Sequence, residues 1–315
     1  MLLDRIDQRI EHFTDLETRY GIPSAAAIFD CLKLAQDHHG RIVPAAERYI
    51  EQHLGYSLAE QRRLRSQYDL LSAGIYGGAS GAAAEQLYHT LLGPEALTIR
   101  ARGPLLAAAG DHNQSIGDYL ESGGYQAAAQ ALRMSPSEII AQVKASGLRG
   151  RGGAYFPVGA KWEAAAQAPG RQHFLICNAD EGEPPTRKDK VLMDRNPHLL
   201  LEGLLIAGKA VGAALGLIYL RGDYQESHDY LQTAIAEAHE RGWLGADIQG
   251  SGFTFEVEIF LGSGSYVAGC DTAMLESLEG RAAIPRATPP FPTEQGLAGQ
   301  PTVVNNVETL CNVPV

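Results

Sequence analysis

The sequence predicts an α/β fold preceded by a small all-α N-terminal region, and three observations carry that reading. Residues 3 to about 73 repeat apolar positions at helical spacing. From about residue 135, short apolar runs alternate with helical patterns, the order that builds a sheet covered by helices. Two glycine-rich loops punctuate that alternating part at the ends of its elements.

The N-terminal segments come first. Ile28, Leu32 and Ala35 share one helical face, and Leu58, Leu64, Tyr68 and Leu71 another. Ser57-Leu-Ala-Glu60 is a capping-box pattern, in which hydroxyl and carboxylate each satisfy an orphan amide, so a helix is expected to start at 57. Between 75 and 108 the chain turns to Gly, Ala and Ser, and we read it as a connector with one short helix around 82–92. The organisation expected is therefore 1–74 helical, 75–108 connector and 109–315 α/β.

In the third segment, a helix over Pro136–Ser146 is framed by Ser135 as N-cap, Pro136 at the first position, Glu138 closing the box and Gly147 as stop. The glycine loop GLRGRGGAYFPVGAKW (147–162) leaves that helix and is expected to lead into a strand, His173–Cys177. The acidic turn NADEGEP (178–184) follows, then an apolar helix near 199–215, a strand at 217–220 and an amphipathic helix at about 224–241. Phe253, Phe255, Val257, Ile259 and Leu261 alternate with polar residues, as a strand with one wet face should. A second loop, GSGSYVAG (262–269), leads into a helix at roughly 271–279.

Composition narrows the function classes. With 26 Lys+Arg against 37 Asp+Glu, the net charge of −11 repels polyanions, so nucleic acid is a poor partner. The N-terminus is charged within its first turn, and no apolar stretch reaches about 18 residues, which points to a cytoplasmic protein with no direct membrane insertion. The four cysteines, Cys31, Cys177, Cys270 and Cys311, are scattered, so no disulfide framework, metal site or iron–sulfur cluster is expected in this chain.

Bare backbone lets amides approach a phosphate closely, and neighbouring Arg or Lys supplies the charge that the acidic surface lacks. Gly150, Gly152, Gly153, Arg151 and Lys161 suit that use; a plain surface loop is the structural alternative. The missing G-K-[ST] excludes a Walker A loop, and a loop that follows a helix is no ordinary dinucleotide first turn. Asn178, Asp180, Glu181 and Glu183 sit at the end of a buried strand, where they suit ribose hydroxyls or ring N–H groups; a solvated turn or an oxygen-ligand cation site are the alternatives.

Taken together, GLRGRGGAYFPVGAKW, FLICNADEGEP, IYLRGDY, GSGSYVAG, LESLEG, PPFP and PTVVNNVETL resemble, in order, the flavin- and NADH-binding subunit of respiratory complex I, which is also the diaphorase of NAD-linked hydrogenases and formate dehydrogenases. The resemblance runs from about Ser115 to the C-terminus. It implies a Rossmann-like flavin/nucleotide-binding domain, FMN and NAD(H) as cofactors, and iron–sulfur electron-transfer subunits of an NADH-oxidising complex as partners, at the inner face of a membrane. Chemistry would rest with the flavin and not with a catalytic side chain. Carried over, Gly150, Gly152, Gly153, Lys161, Asn178, Asp180, Glu181, Tyr266, Asn305, Asn306 and Thr309 would form the FMN site. Phe156, Glu183, Asp271 and Phe291 would meet NADH.

The N-terminal helices resemble, more loosely, the start of the thioredoxin-like iron–sulfur partner. The family pattern has glycine where this chain has Tyr155, two glutamates at Cys270 and Asp271, a basic residue at Thr288 and an aromatic at Ala164. Family members continue past NNVETL into a ubiquitin-like domain and a cluster-bearing helical bundle, which these 315 residues do not contain. Two expectations follow: an NADH-oxidising flavoprotein module whose electrons leave through another chain, or a non-catalytic structural or assembly relative that retains the fold, with or without FMN.

Overall fold

The computed structural model describes residues 2–39, 44–61, 105, 113–183, 186–262 and 264–315. Its described residues fall into two compact units. One draws on Met1–Leu97, Arg221–Asp223 and Phe260–Ala287, the other on Thr98–Leu220, Tyr224–Ile259 and Thr288–Val315.

In the first unit, α1 (Leu2–Tyr20) packs on α2 (Ala27–His39), which packs on α3 (Pro44–Leu54). Their apolar stripes supply the core: Ile6, Phe13 and Leu16 from α1, and Ile28, Leu32 and Ala35 from α2, are all buried. Phe13 and Phe29 meet the ring of Phe260 edge-on, at centroid separations of 5.9 and 6.4 Å. The Ser57 box forms: Glu60 N–H donates to Ser57 Oγ at 3.3 Å and Ser57 N–H to Glu60 Oε2 at 2.9 Å. The expected positions 64, 68 and 71, the connector apart from residue 105, and its short helix lie outside the described residues.

The second unit is built on a sheet of order β3-β2-β1-β4, with β1 at His173–Ala179, β2 at Ala213–Leu220, β3 at Glu256–Leu261 and β4 at Thr302–Asn306. Strand β1 runs parallel to both β2 and β4, and Asn178 pairs with Tyr219 on one side and Asn306 on the other. Its run Phe174–Cys177 is wholly buried, as a strand covered on both faces requires. Along β3, residues 256–259 alternate half-buried and buried, which matches the predicted pattern.

Helices of this unit are α4 (Ile116–Glu121), α5 (Gln126–Ala131), α6 (Pro136–Ala145), α7 (Val158–Gln167), α8 (Lys188–Arg195), α9 (Pro197–Val211), α10 (Gln225–Glu240), α12 (Pro292–Gln295) and α13 (Val307–Cys311); α11 (Asp271–Leu278) belongs to the first unit. The predicted cap of α6 is present, with Ser135 and Glu138 bonding reciprocally. Nearly every residue of α9 is buried. At Gly203 this helix lies so close to α13 that an added Cβ would stand 2.2 Å from Leu310 O, so the glycine sets the approach.

One expectation is corrected here. The first glycine loop does not lead directly into a strand: it opens α7, and β1 comes only after that helix. The segment VGAKWEAAAQ has no side-chain cap, Pro157 being its N-cap residue, and its alanines blur any apolar stripe, so the sequence does not announce it. The helix is held by tertiary contact with α6, β4 and α12.

Candidate functional site

Three pieces of chain meet at the carboxyl ends of β1 and β4, the end of a parallel sheet where α/β proteins hold ligands. The first is the turn after β1. Asn178 is half-buried and accepts from Asp180 N–H through Oδ1 at 3.2 Å, and Asp180 is buried behind it. Glu181 turns its carboxylate to the start of α8, accepting from Asp189 N–H at 3.0 Å and Lys190 N–H at 3.2 Å, with Tyr224 Oη at 3.4 Å. Helix α8 has no cap of its own, so Glu181 provides the acceptors that its first-turn amides need.

The second piece is the β4–α13 junction. Asn306 caps α13, its Oδ1 accepting from Thr309 N–H at 3.1 Å and Thr309 Oγ1 at 2.8 Å. Asn305 is buried and accepts from Trp162 Nε1 at 2.8 Å. Lys161, next to that tryptophan on α7, donates through Nζ to Val304 O at 2.9 Å.

The third piece is the glycine loop itself. Its base is a narrow hairpin: Gly150 N–H donates to Phe156 O at 2.9 Å and Val158 N–H to Leu148 O at 3.0 Å. Its tip is tied to the junction, because Arg151 N–H donates to Thr309 Oγ1 at 2.9 Å. Among the described residues, the exposed amides of Gly152 and Gly153 make no hydrogen bond. A Cβ on Gly152 would stand 3.5 Å from Asn306 Cβ, and one on Gly150 would stand 3.6 Å from Phe156 O, both ordinary contacts. Packing therefore requires glycine at neither position, whereas a ligand that must lie against the backbone does. Gly153 differs: its φ of 116° already restricts it to glycine.

An acidic residue unmarked by the sequence reading joins these pieces. Asp189 is 4% exposed on α8. Its Oδ2 accepts from Asn306 Nδ2 at 2.7 Å, and its Oδ1 from Glu308 N–H at 3.0 Å and Lys188 Nζ at 2.8 Å. Burial, opposed by Lys188 and reinforced by the Glu181 charge, pushes its carboxyl up to about 6. The only sequence signal was its place in Lys188-Asp189-Lys190, shortly after the acidic turn.

The remaining candidates divide between the two units. Phe156, Phe291 and Glu183 are exposed in the second, with Phe291 leading into α12, which packs on α7 and β4. Tyr266 is exposed and Asp271 half-buried, both in the first unit, with Asp271 opening α11; Gly150–Gly153, Asn178, Asp180, Glu181, Lys161, Asn305, Asn306 and Thr309 all belong to the second. Tyr155 holds a left-handed φ of 56°; the residue is 59% exposed, with the Arg149 guanidinium 5.2 Å from the ring centroid. Among the described residues, no group of three or more His, Cys, Asp or Glu side chains is arranged to hold a metal ion. No described helix is long and apolar enough to cross a membrane.

Residues 143–315, more than half the chain, match the model of the Nuo51 FMN-binding domain, a span that starts in α6 and holds all three pieces. The chain belongs to the Nuo51 FMN-binding domain family. It is 54% identical over 200 residues to an NADH-quinone oxidoreductase subunit of Aquifex aeolicus (strain VF5), covering 64% of this chain and 47% of that protein. Over 201 residues it is 44% identical to an NADP-reducing hydrogenase subunit, HndC, of Solidesulfovibrio fructosivorans, covering 64% and 41%. The chain thus spans about half the length of these relatives. A crystal structure of NAD+-reducing NiFe-hydrogenase in the H2-reduced state superposes with a TM-score of 0.65 at 25% identity, over 92% of this chain and 61% of that one.

Proposed function

We propose that this Nuo51-family chain binds FMN at the carboxyl ends of β1 and β4, accepts a hydride from NADH there, and passes electrons to an iron–sulfur partner chain. The observation that carries the reading is the glycine loop. It offers exposed amides beside Asn306 and Thr309, and the fold itself has no packing need for glycine at 150 or 152. Bound FMN would supply the two-electron to one-electron conversion that no side chain can perform.

The chain's own groups have definable tasks in that scheme. The amides of Gly152 and Gly153, with the charge of Arg151 and Lys161, suit a phosphate. Asn178 and Asp180 offer the donors and acceptors that ribityl hydroxyls and ring edges require. Glu181 orders the acidic turn by holding α8. The exposed rings of Phe156 and Phe291 suit an adenine face, and Glu183 and Asp271 would add polar contacts to NADH; Tyr266 would complete the flavin site. The same reading takes 109–315 as the FMN/NADH-binding domain and 1–74 as a helical appendage.

A second reading, in which the chain is a non-catalytic structural or assembly relative that keeps the fold and the flavin, is favoured by Tyr155. Its ring is exposed two residues from Gly153, where it can compete with a stacked nicotinamide. The visible spectrum of the purified protein, reconstituted with FMN and then mixed with NADH without oxygen, separates the two. Bleaching of the flavin band supports the first reading. A flavin band that NADH leaves unchanged supports the second, and failure to take up flavin rejects the site.

A further inference from the structure

We propose that Asp189 is a positioning residue: it fixes the glycine loop over the β4–α13 junction and holds that junction in register with the Glu181 turn. The proposal rests on the flavin reading for its ligand but not for its geometry.

The connection is continuous. From the loop, Arg151 N–H reaches Thr309 Oγ1, and Thr309 Oγ1 donates to Asn306 Oδ1. Asn306 Nδ2 then donates to Asp189 Oδ2. The other carboxylate oxygen holds the first turn of α13 through Glu308 N–H, and Lys188 closes the cluster by bonding both Asp189 and Glu308. On the far side, the backbone N–H of Asp189 donates to Glu181 Oε1. One buried side chain therefore decides the donor and acceptor sense of the whole junction. Asn306 can cap Thr309 with its oxygen only if its amide nitrogen finds an acceptor, and Asp189 Oδ2 is that acceptor. A carboxylate is required, because both of its oxygens face donors. An amide of the same shape would leave one donor facing another.

Both substitutions needed for a test are isosteric. Asp189→Asn breaks the bond to Asn306 from one side, and Asn306→Asp breaks it from the other by opposing two carboxylates, so both readouts are taken at about pH 8.5, where a shared proton between them is least favoured. The double variant Asp189→Asn/Asn306→Asp restores every donor–acceptor pair with the roles exchanged. The first readout is limited trypsin digestion of the protein without added ligand. Cleavage after the exposed Arg149 and Arg151 reports the loop, and cleavage after the exposed Arg241, at the end of α10, serves as the internal reference. Each single variant should nick the loop about tenfold or more faster than the native protein, the factor that loss of one charged hydrogen bond allows. The Arg241 rate should be unchanged, and the double variant should return to the native pattern. Equal acceleration at Arg241, no change at the loop, or no recovery in the double variant would overturn the proposal.

Flavin fluorescence titration of the same four proteins is the second readout. Each single variant should lose affinity by about tenfold or more, and the double variant should regain it. A native protein that takes up no FMN while the digestion pattern holds defeats the flavin reading and leaves the role of Asp189 standing. Native binding with unaltered digestion and affinity in both single variants defeats the role of Asp189 alone.

Discussion

Two tyrosines of the second unit, Tyr125 and Tyr155, hold nearly the same unfavourable backbone, with φ of 61° and 56°, yet their surroundings are opposite. Tyr125 is 1% exposed. It stacks on Trp243 at 4.6 Å, shares a hydrogen bond with His198 Nδ1 at 3.2 Å and donates its amide to Glu202 Oε2 at 2.8 Å. Glu202 also accepts from Tyr119 Oη and, at 2.9 Å, from Ala128 N–H, so one buried carboxylate ties α4 and α5 to α9. A left-handed L-residue costs about 1–2 kcal/mol. At Tyr125 that cost is offset many times by burial and bonding, whereas Tyr155 stays exposed with the Arg149 guanidinium over its ring. Strain of the first kind belongs to folding; strain left uncovered in a loop is where a site is expected.

The largest effect is expected at Tyr125. Replacing it by alanine keeps the strained φ but removes the stack, the bond to His198 and the buried ring. We expect a loss of about 3–5 kcal/mol in urea unfolding, the range for large aromatic truncations. A loss below about 1 kcal/mol would mean that the cluster does not offset the strain. In the glycine-loop site, Lys161→Ala should lower FMN affinity about ten- to a hundredfold, since a hydrogen bond to a charged group contributes about 1.5–3 kcal/mol. Its unfolding should move far less, and unchanged affinity in a fluorescence titration would remove Lys161 from the site.

A smaller effect concerns pH. His198 is wholly buried, with Nε2 at 2.9 Å from Glu237 Oε2. Burial lowers its pKa below the ordinary value, and the bond to Glu237 only partly opposes this. As pH falls through the unfolded value of about 6.5, the unfolded chain takes up a proton that the folded one resists, so stability declines with acid over that window. Urea midpoints between pH 8 and pH 5.5 should fall for the native protein and fall less for His198→Gln. Parallel curves would argue against it.

The smallest expected change in stability is at Tyr155. Tyr155→Gly relieves the left-handed strain but frees the unfolded chain and loses the cation–ring contact, so unfolding should move by less than about 1 kcal/mol. Its effect should appear in chemistry instead. Hydride transfer needs reacting atoms about 3–3.5 Å apart, and removing the ring should raise the stopped-flow rate of flavin reduction by NADH. A native protein already reduced rapidly at low NADH would show that Tyr155 does not obstruct.

The legible parts of the fold were those whose signals are local. Ser135, Glu138 and Gly147 delimit α6 within its own sequence, and the alternation from Phe255 to Ile259 exposes β3. The glycine loop and acidic turn were legible as a pair because bare backbone, charge and carboxylates are written in residue type. Helices α7 and α8 were not, because neither carries its own side-chain cap: α7 is fixed by packing on α6 and β4, and α8 by Glu181, several residues upstream. Strand β4 has only five residues and exists through its pairing with β1. Asp189 was invisible for the same reason, since its three partners come from β4, α13 and its own helix.

In the proposed site Gly152 is kept bare for a ligand and not for the fold. Gly152→Ala tests it directly, because its Cβ has room at 3.5 Å from Asn306 Cβ in the protein without ligand. The variant should melt within about 1 kcal/mol of the native protein, in line with a substitution that creates no clash, while its FMN affinity falls at least about tenfold by fluorescence titration, equivalent to about 1.4 kcal/mol. Native-like FMN affinity in a stable Gly152→Ala protein would contradict the proposed site.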